Sequence, residues 1–259
     1  MKRTQISRAL ASVLITGLCL AAGSPVAIAD PLTFVGFDIN AGPGDARPNT
    51  NSAAADFDTA ASLLGSLTLT TFESVAAGSL SSLAVGGMTL TSTDVFGADQ
   101  EFRIRNTSGG GPGPFEPLSG YNTTTGGENY VELSGSTLTS TFRTPVQAYG
   151  FYFTGSQLEG NTVTFNDGSA QSFTLPFGAH TFPNGPPFGG GVGFFGFIDE
   201  GKSISSIRIS VINPDLTGDI MGVDDVRQVA SPVPEPASAV LLALGLGVLG
   251  ARRWRQRKA

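Results

Sequence analysis

The chain has 259 residues, a formal net charge of −6, and one cysteine, one histidine and one tryptophan. Those single residues exclude a disulfide scaffold, thiolate metal sites and any metal site that needs several imidazoles. The acidic balance argues against nucleic acid and anionic lipid as partners, and 35 glycines imply many tight turns.

Residues 1–29 read as a secretory signal peptide. Lys2, Arg3 and Arg8 precede an apolar stretch over 9–22, and Ala27, Ile28 and Ala29 offer a small-x-small cleavage site before Asp30. Cys19 follows Leu18, where a lipidation site wants a small residue, so it leaves with the signal. The exported part then holds no cysteine and has to be stable on its core alone. Over 30–232 there are 7 basic and 20 acidic residues, a formal charge of −13, which suits soluble export, divalent cations and neutral or cationic surfaces.

Residues 30–66 form a polar leader with Gly42-Pro43-Gly44 and Arg47-Pro48-Asn49 as breakers and a short helix predicted over 52–64. From 67 to 229 the texture changes to short β-prone runs separated by Gly, Asn, Asp and Pro, which predicts an all-β, antiparallel β-sandwich. Eleven strands are predicted, over 67–72, 88–92, 101–106, 130–133, 137–142, 148–154, 162–165, 172–175, 194–198, 204–211 and 221–229. In Ile207-Arg208-Ile209-Ser210-Val211 the apolar residues alternate with polar ones, so one face of that strand is wet. Asn166-Asp167-Gly168 supplies a hairpin corner between two strands. The Gly- and Pro-rich stretches 109–117 and 183–193 read as long surface loops, and the first lacks the Lys-Ser/Thr ending of a phosphate loop.

Little in this body points to an enzyme. His180 is the sole histidine and sits in a loop, and no cysteine nucleophile survives export. A carboxylate pair for glycoside hydrolysis would come from Glu73, Glu132, Asp199, Glu200, Asp224 and Asp225, but no spacing singles out two of them. Phe182, Phe188, Phe194, Phe195 and Phe197 cluster about the second Gly-rich loop and are read as core before platform. Of Tyr121, Tyr130, Tyr149 and Tyr152, the loop residue Tyr121 is the one expected to be exposed. Glu73 near the first strand and Asp224 or Asp225 near the last could share a calcium ion that ties the sheet edges, or the two aspartates could simply cap a turn.

The tail has three parts in a fixed order. In the linker 230–236, Pro234, Glu235 and Pro236 hold the backbone extended and accessible. The apolar run 237–251 has 15 residues, about 22 Å as a helix against roughly 30 Å of hydrocarbon. Extending it to Trp254 gives an 18-residue span over 237–254, with Arg252 and Arg253 snorkelling and Trp254 at the interface. Five basic residues after the run, including those of 255–259, hold the terminus in the cytoplasm and leave the rest outside.

With Pro234, Glu235 and Pro236, the single apolar helix and the Arg-rich end all in order, the tail resembles the PEP-CTERM signal of Gram-negative bacteria. That resemblance implies recognition by an exosortase-type processing enzyme, a membrane-anchored precursor, and a surface or extracellular-matrix destination in the company of exopolysaccharide. The body is similar to the jelly-roll-like sandwiches that precede such tails, in Phe72-Glu73 with Gly78, Gly126-Gly127 before Tyr130, 148–153, 166–168, 194–199, 204–209 and Asp224-Asp225-Val226. Such sandwiches are often carbohydrate-binding modules, and in them an early and a late acidic residue often share calcium. The resemblance therefore implies a non-enzymatic surface protein, with a carbohydrate-binding module and then a glycoside hydrolase as the alternatives.

Overall fold

The computed structural model describes residues 31–106, 120–166, 171–178, 190–211 and 219–232. Among them are fourteen strands and one helix. The strands are β1 (Leu32–Ile39), β2 (Thr68–Thr70), β3 (Gly78–Leu80), β4 (Ser82–Val85), β5 (Met88–Thr93), β6 (Asp99–Gln100), β7 (Phe102–Asn106), β8 (Asn129–Ser134), β9 (Thr137–Thr154), β10 (Thr162–Phe165), β11 (Gln171–Thr174), β12 (Gly191–Ile198), β13 (Ile204–Ser210) and β14 (Ile220–Ala230), and the helix is α1 (Pro48–Ser62). All the pairings are antiparallel.

The organising element is β9. Its first part pairs with β5 on one side and β13 on the other, through Phe142↔Met88 and Ser140↔Ile207. Its last part pairs with β12 and β14, through Phe151↔Phe195 and Phe153↔Val223. The change of partners falls at 143–147, around Pro145, whose ring removes a ladder donor where one set of neighbours ends. The two runs predicted as separate strands over 137–142 and 148–154 are thus one strand serving two layers. The first layer runs β4-β5-β9-β13-β10-β11, with β6 beside β5. The second runs β1-β12-β9-β14-β8-β7-β3, with β2 beside β14.

Between the layers lies an aromatic core. Phe165 and Phe173 of the first layer meet Phe197 and Phe195 of the second, with ring centroids 4.1 and 5.5 Å apart. Tyr149, Phe151 and Phe153 continue that core along β9. Rings of this size bury enough apolar surface to dominate the packing, and the tilted pairs suit their quadrupoles.

The second layer is covered on its other face as well. Helix α1 lays Thr50, Ala53, Ala54, Phe57 and Ala61 onto it, a spacing that puts all five on one helix face. Phe57 meets Phe34 and Phe194, at centroid distances of 5.6 and 5.5 Å. Room for its ring comes from glycine, since a Cβ on Gly196 would lie 2.6 Å from Phe57 Cδ2, and one on Gly150 would lie 3.2 Å from Phe57 Cε1 and 2.7 Å from Phe194 Cζ. Strand β12 is therefore buried on both faces along its whole length.

The region read as a polar leader holds β1 and α1, both packed on the sandwich. Arg47-Pro48-Asn49 starts the helix where the sequence suggested a break, because Pro at the first helical position has no donor to lose. The helix N-terminus is capped from β1: Asp38 accepts the Thr50 N–H at 2.8 Å and the Asn49 N–H at 3.2 Å. Burial pushes the Asp38 carboxyl up, but these bonds outweigh it and hold its pKa below the ordinary value.

Candidate functional site

Beyond the helix, the outer face of the second layer is crossed by the segment 120–129, and the acidic residues singled out in the sequence meet there. Gly120, at φ +91°, lies so close to β14 that a Cβ would be 2.5 Å from the Gly222 nitrogen. Tyr121 follows and is buried, contrary to the expectation of an exposed loop tyrosine. Its hydroxyl donates to the Ala41 carbonyl at 2.7 Å, and its N–H donates to Thr154 Oγ1 at 2.9 Å. Burial raises its phenol pKa well above the ordinary range.

Asp224 and Asp225 hold Thr123 and Thr124. Asp224 Oδ2 accepts from the Thr123 N–H at 2.8 Å, Thr123 Oγ1 at 3.0 Å, the Thr124 N–H at 3.2 Å and Thr124 Oγ1 at 3.3 Å. Asp225 Oδ1 accepts from Thr124 Oγ1 at 2.6 Å. The register of β14 against β9 slips between Asp224 and Arg227, and Asp225 sits in that bulge at φ +47°, a left-handed backbone seldom taken by a residue with a side chain. The bulge turns two consecutive carboxylates toward one segment, where an unbroken strand would send them to opposite faces. Burial, and then the neighbouring Asp225 charge, push the Asp224 carboxyl up to about 6. Its Oδ1 is buried without a hydrogen-bond partner among the described residues.

Glu73 ties the start of the same segment to its end. Its Oε1 accepts from Asn122 Nδ2 at 2.6 Å and its Oε2 from the Glu128 N–H at 2.7 Å, with the Asn129 N–H 3.2 Å away. Glu73 and the two aspartates are thus brought to one segment but not to one point. Among the described residues no three His, Cys, Asp or Glu side chains converge as a group able to hold a metal ion.

Two arginines complete the frame. Arg47 Nη2 donates to the Thr123 carbonyl at 2.7 Å, and its guanidinium lies 5.3 Å from the Tyr152 ring centre. Arg227 Nη1 donates to the Asp225 carbonyl at 2.7 Å, Nε lies 3.0 Å from Asp58 Oδ1, and the guanidinium covers Tyr152 and Phe194. Neither arginine was read from the sequence as a site residue: Arg47 acts on Thr123 across 76 residues, and Arg227 on Asp58, Tyr152 and Phe194 far along the chain.

Past this segment the outer face opens into a polar cleft of about 630 Å³ along β7 and β8, lined among others by Ser79, Glu101, Arg103, Arg105, Glu132 and Ser134. Phe102 and Ile104 point into the core, so the alternation of β7 sends Arg103 and Arg105 outward. Glu132 is buried in the cleft wall and accepts from Arg105 Nε at 2.7 Å. Asp199 and Glu200, from the same pool of candidate carboxylates, lie instead at the end of β12, Asp199 buried and Glu200 exposed. Phe194, Phe195 and Phe197 are core residues, as read from the sequence. His180, Phe182, Phe188 and the motif Pro234, Glu235 and Pro236 lie outside the described residues. Among the described residues no helix is long and apolar enough to cross a membrane.

The body is a predominantly antiparallel β-sandwich with one helix docked on its outer face. Residues 232–258 match the PEP-CTERM protein-sorting motif, so the chain carries that motif immediately after its last strand. Among solved structures, the K2 cleaved adhesin domain of Lys-gingipain is similar at 16% identity and a TM-score of 0.40, over 64% of this chain and 99% of that one. The catalytic domain of a GH87 alpha-1,3-glucanase in complex with tetrasaccharides is similar at 16% identity and a TM-score of 0.31, over 66% of this chain and 29% of that one. The catalytic unit of a thermostable GH87 alpha-1,3-glucanase from Streptomyces thermodiastaticus strain HF3-3 gives 13% identity and a TM-score of 0.28, over 56% and 26%. None of these likenesses assigns an activity to this chain. No curated protein matches it.

Proposed function

We propose that this is an exported, non-enzymatic surface or extracellular-matrix protein. It crosses the inner membrane by its N-terminal signal and is held there by the helix over 237–254. An exosortase-type enzyme then cuts it near Pro234, Glu235 and Pro236. The observation that carries this reading is the position of the matched motif. The last strand ends at Ala230 and the motif begins at residue 232, so cutting the tail away leaves every described strand in place. The candidate carboxylates support a structural role over a catalytic one, because Glu73, Asp224 and Asp225 accept hydrogen bonds from the segment they hold and Glu132 pairs with Arg105. We place the mature protein beside exopolysaccharide at the cell surface. Replacing Glu235 by Ala tests the route: full-length protein should then accumulate in the membrane fraction. Unchanged release of that variant would contradict it.

A further inference from the structure

We infer that the cleft along β7 and β8 is a binding site for a neutral, hydroxyl-rich glycan chain, with the turn that carries Phe96 as a second contact point. This deepens the exopolysaccharide reading above and rests on it. The cleft is lined by guanidinium and carboxylate groups together, Arg103, the Arg105–Glu132 pair and Glu101, and by the hydroxyl residues Ser79 and Ser134. Planar groups with two donors or two acceptors match the vicinal hydroxyls of a sugar, and charge strengthens each bond. Because Glu132 is buried and fixes Arg105, part of this array is set before any ligand arrives, which lowers the ordering cost of binding. The volume falls in the range of roughly 300–1,000 Å³ usual for small-ligand clefts.

Charge selects among glycans. The cations of the cleft are matched by carboxylates, so it presents no net positive field, and the exported part carries −13 overall. An acidic polysaccharide would be repelled and a neutral one would not. The aromatic contact is drawn from the β5–β6 turn, three residues before Asp99, which lines the cleft. Phe96 is 85% exposed, yet its turn is tightly held, because Asp94 Oδ1 accepts both the Phe96 N–H at 2.9 Å and the Ala98 N–H at 2.8 Å. A ring displayed in this way offers a flat apolar surface to the C–H face of a sugar.

The test is native electrophoresis of the exported protein, recovered from producing cells, through gels containing dextran, laminarin, alginate or the cells' own exopolysaccharide. Retardation is expected in at least one neutral polymer and not in alginate. Arg103→Ala and Phe96→Ala should each weaken it at least fivefold, with the melting temperature unchanged because both side chains are exposed. No retardation in any of these gels, retardation in alginate alone, or retardation untouched by the double variant would overturn the inference. A protein that has lost its tail but is not retarded would leave the sorting reading standing, whereas a retarded protein that keeps its tail would remove only the sorting reading.

Discussion

Asp224 accepts the backbone N–H of Thr123 at 2.8 Å, a bond between residues 101 apart in the chain, and does so from a position that is almost fully buried. The same oxygen takes three further donors from Thr123 and Thr124, so one carboxylate fixes the segment that covers β14 and β9. Glu73 holds both Asn122 and the Glu128–Asn129 end of that segment, and the early and late parts of the chain are thereby tied through a shared loop.

The raised pKa of Asp224 gives this clasp a pH dependence. Its folded value of about 6 lies above the ordinary 3.8, so the native state holds a proton that the unfolded chain has lost in that interval. The stability from this group is therefore fully present below about pH 4 and is lost as pH rises through about 6. A shift of this size is on the order of 2–3 kcal/mol. Asp224→Asn should remove that slope, so the urea midpoints of the two proteins should coincide below about pH 4, separate as pH rises toward 6 and stay apart above it, with the variant the more stable. Asp219 is raised by burial in the same sense, which is why the difference between the two proteins, and not either curve alone, is the measurement. Parallel curves would place the titration elsewhere.

Phe57 holds α1 to the second layer, between Phe34 and Phe194. Phe57→Ala should cost about 3–5 kcal/mol by urea unfolding, from lost burial and the cavity left behind. A loss below about 1 kcal/mol would mean that the helix contributes little to the fold.

The cap from β1 is separable from that packing. Asp38→Ala leaves the Asn49 and Thr50 donors without their acceptor and should cost about 1–2 kcal/mol. Because the Asp38 pKa is held low, its contribution is present above the ordinary carboxylate value and fades as pH falls through the folded one. The penalty of the variant should therefore shrink in acid, and a penalty that grows there would contradict the capping role.

Much of the sandwich was legible in the sequence because alternation is a local signal. Ile207, Arg208 and Ile209 show β13 directly, and β10 and β11, on either side of the predicted Asn166-Asp167-Gly168 turn, pair antiparallel, Val163↔Phe173. What escaped depended on distant partners. Strand β1 has polar neighbours in sequence and is fixed by pairing with β12 across some 160 residues, as in Phe34↔Gly196. The gap between the strands predicted over 137–142 and 148–154 holds Pro145, which marks a change of neighbours within one strand. Tyr121 looks exposed until its acceptor, the Ala41 carbonyl, is brought to it by the fold. Glu73, Asp224 and Asp225 read from the sequence as partners for one ion, whereas the structure sets them against different residues of one segment, 120–129; composition could not reveal that segment between them, since it has no apolar pattern of its own.

Their hydrogen bonds bear on the calcium expected from the sequence. An ion shared by Glu73 and Asp225 would need to displace N–H and O–H donors that already face those oxygens. We expect the melting temperature of metal-free protein to be the same with calcium as with chelator. A rise in calcium that the double change Glu73→Ala with Asp225→Ala abolishes would restore the shared ion by linkage.

The exported form is expected to lose its tail just after the last described strand, β14. Intact mass of the protein recovered outside the cells measures both ends at once. It should correspond to a chain that begins near Asp30 and ends close to Pro234, Glu235 and Pro236, with nothing beyond Ala237. A mass that still includes the Arg252 to Lys258 segment would contradict it.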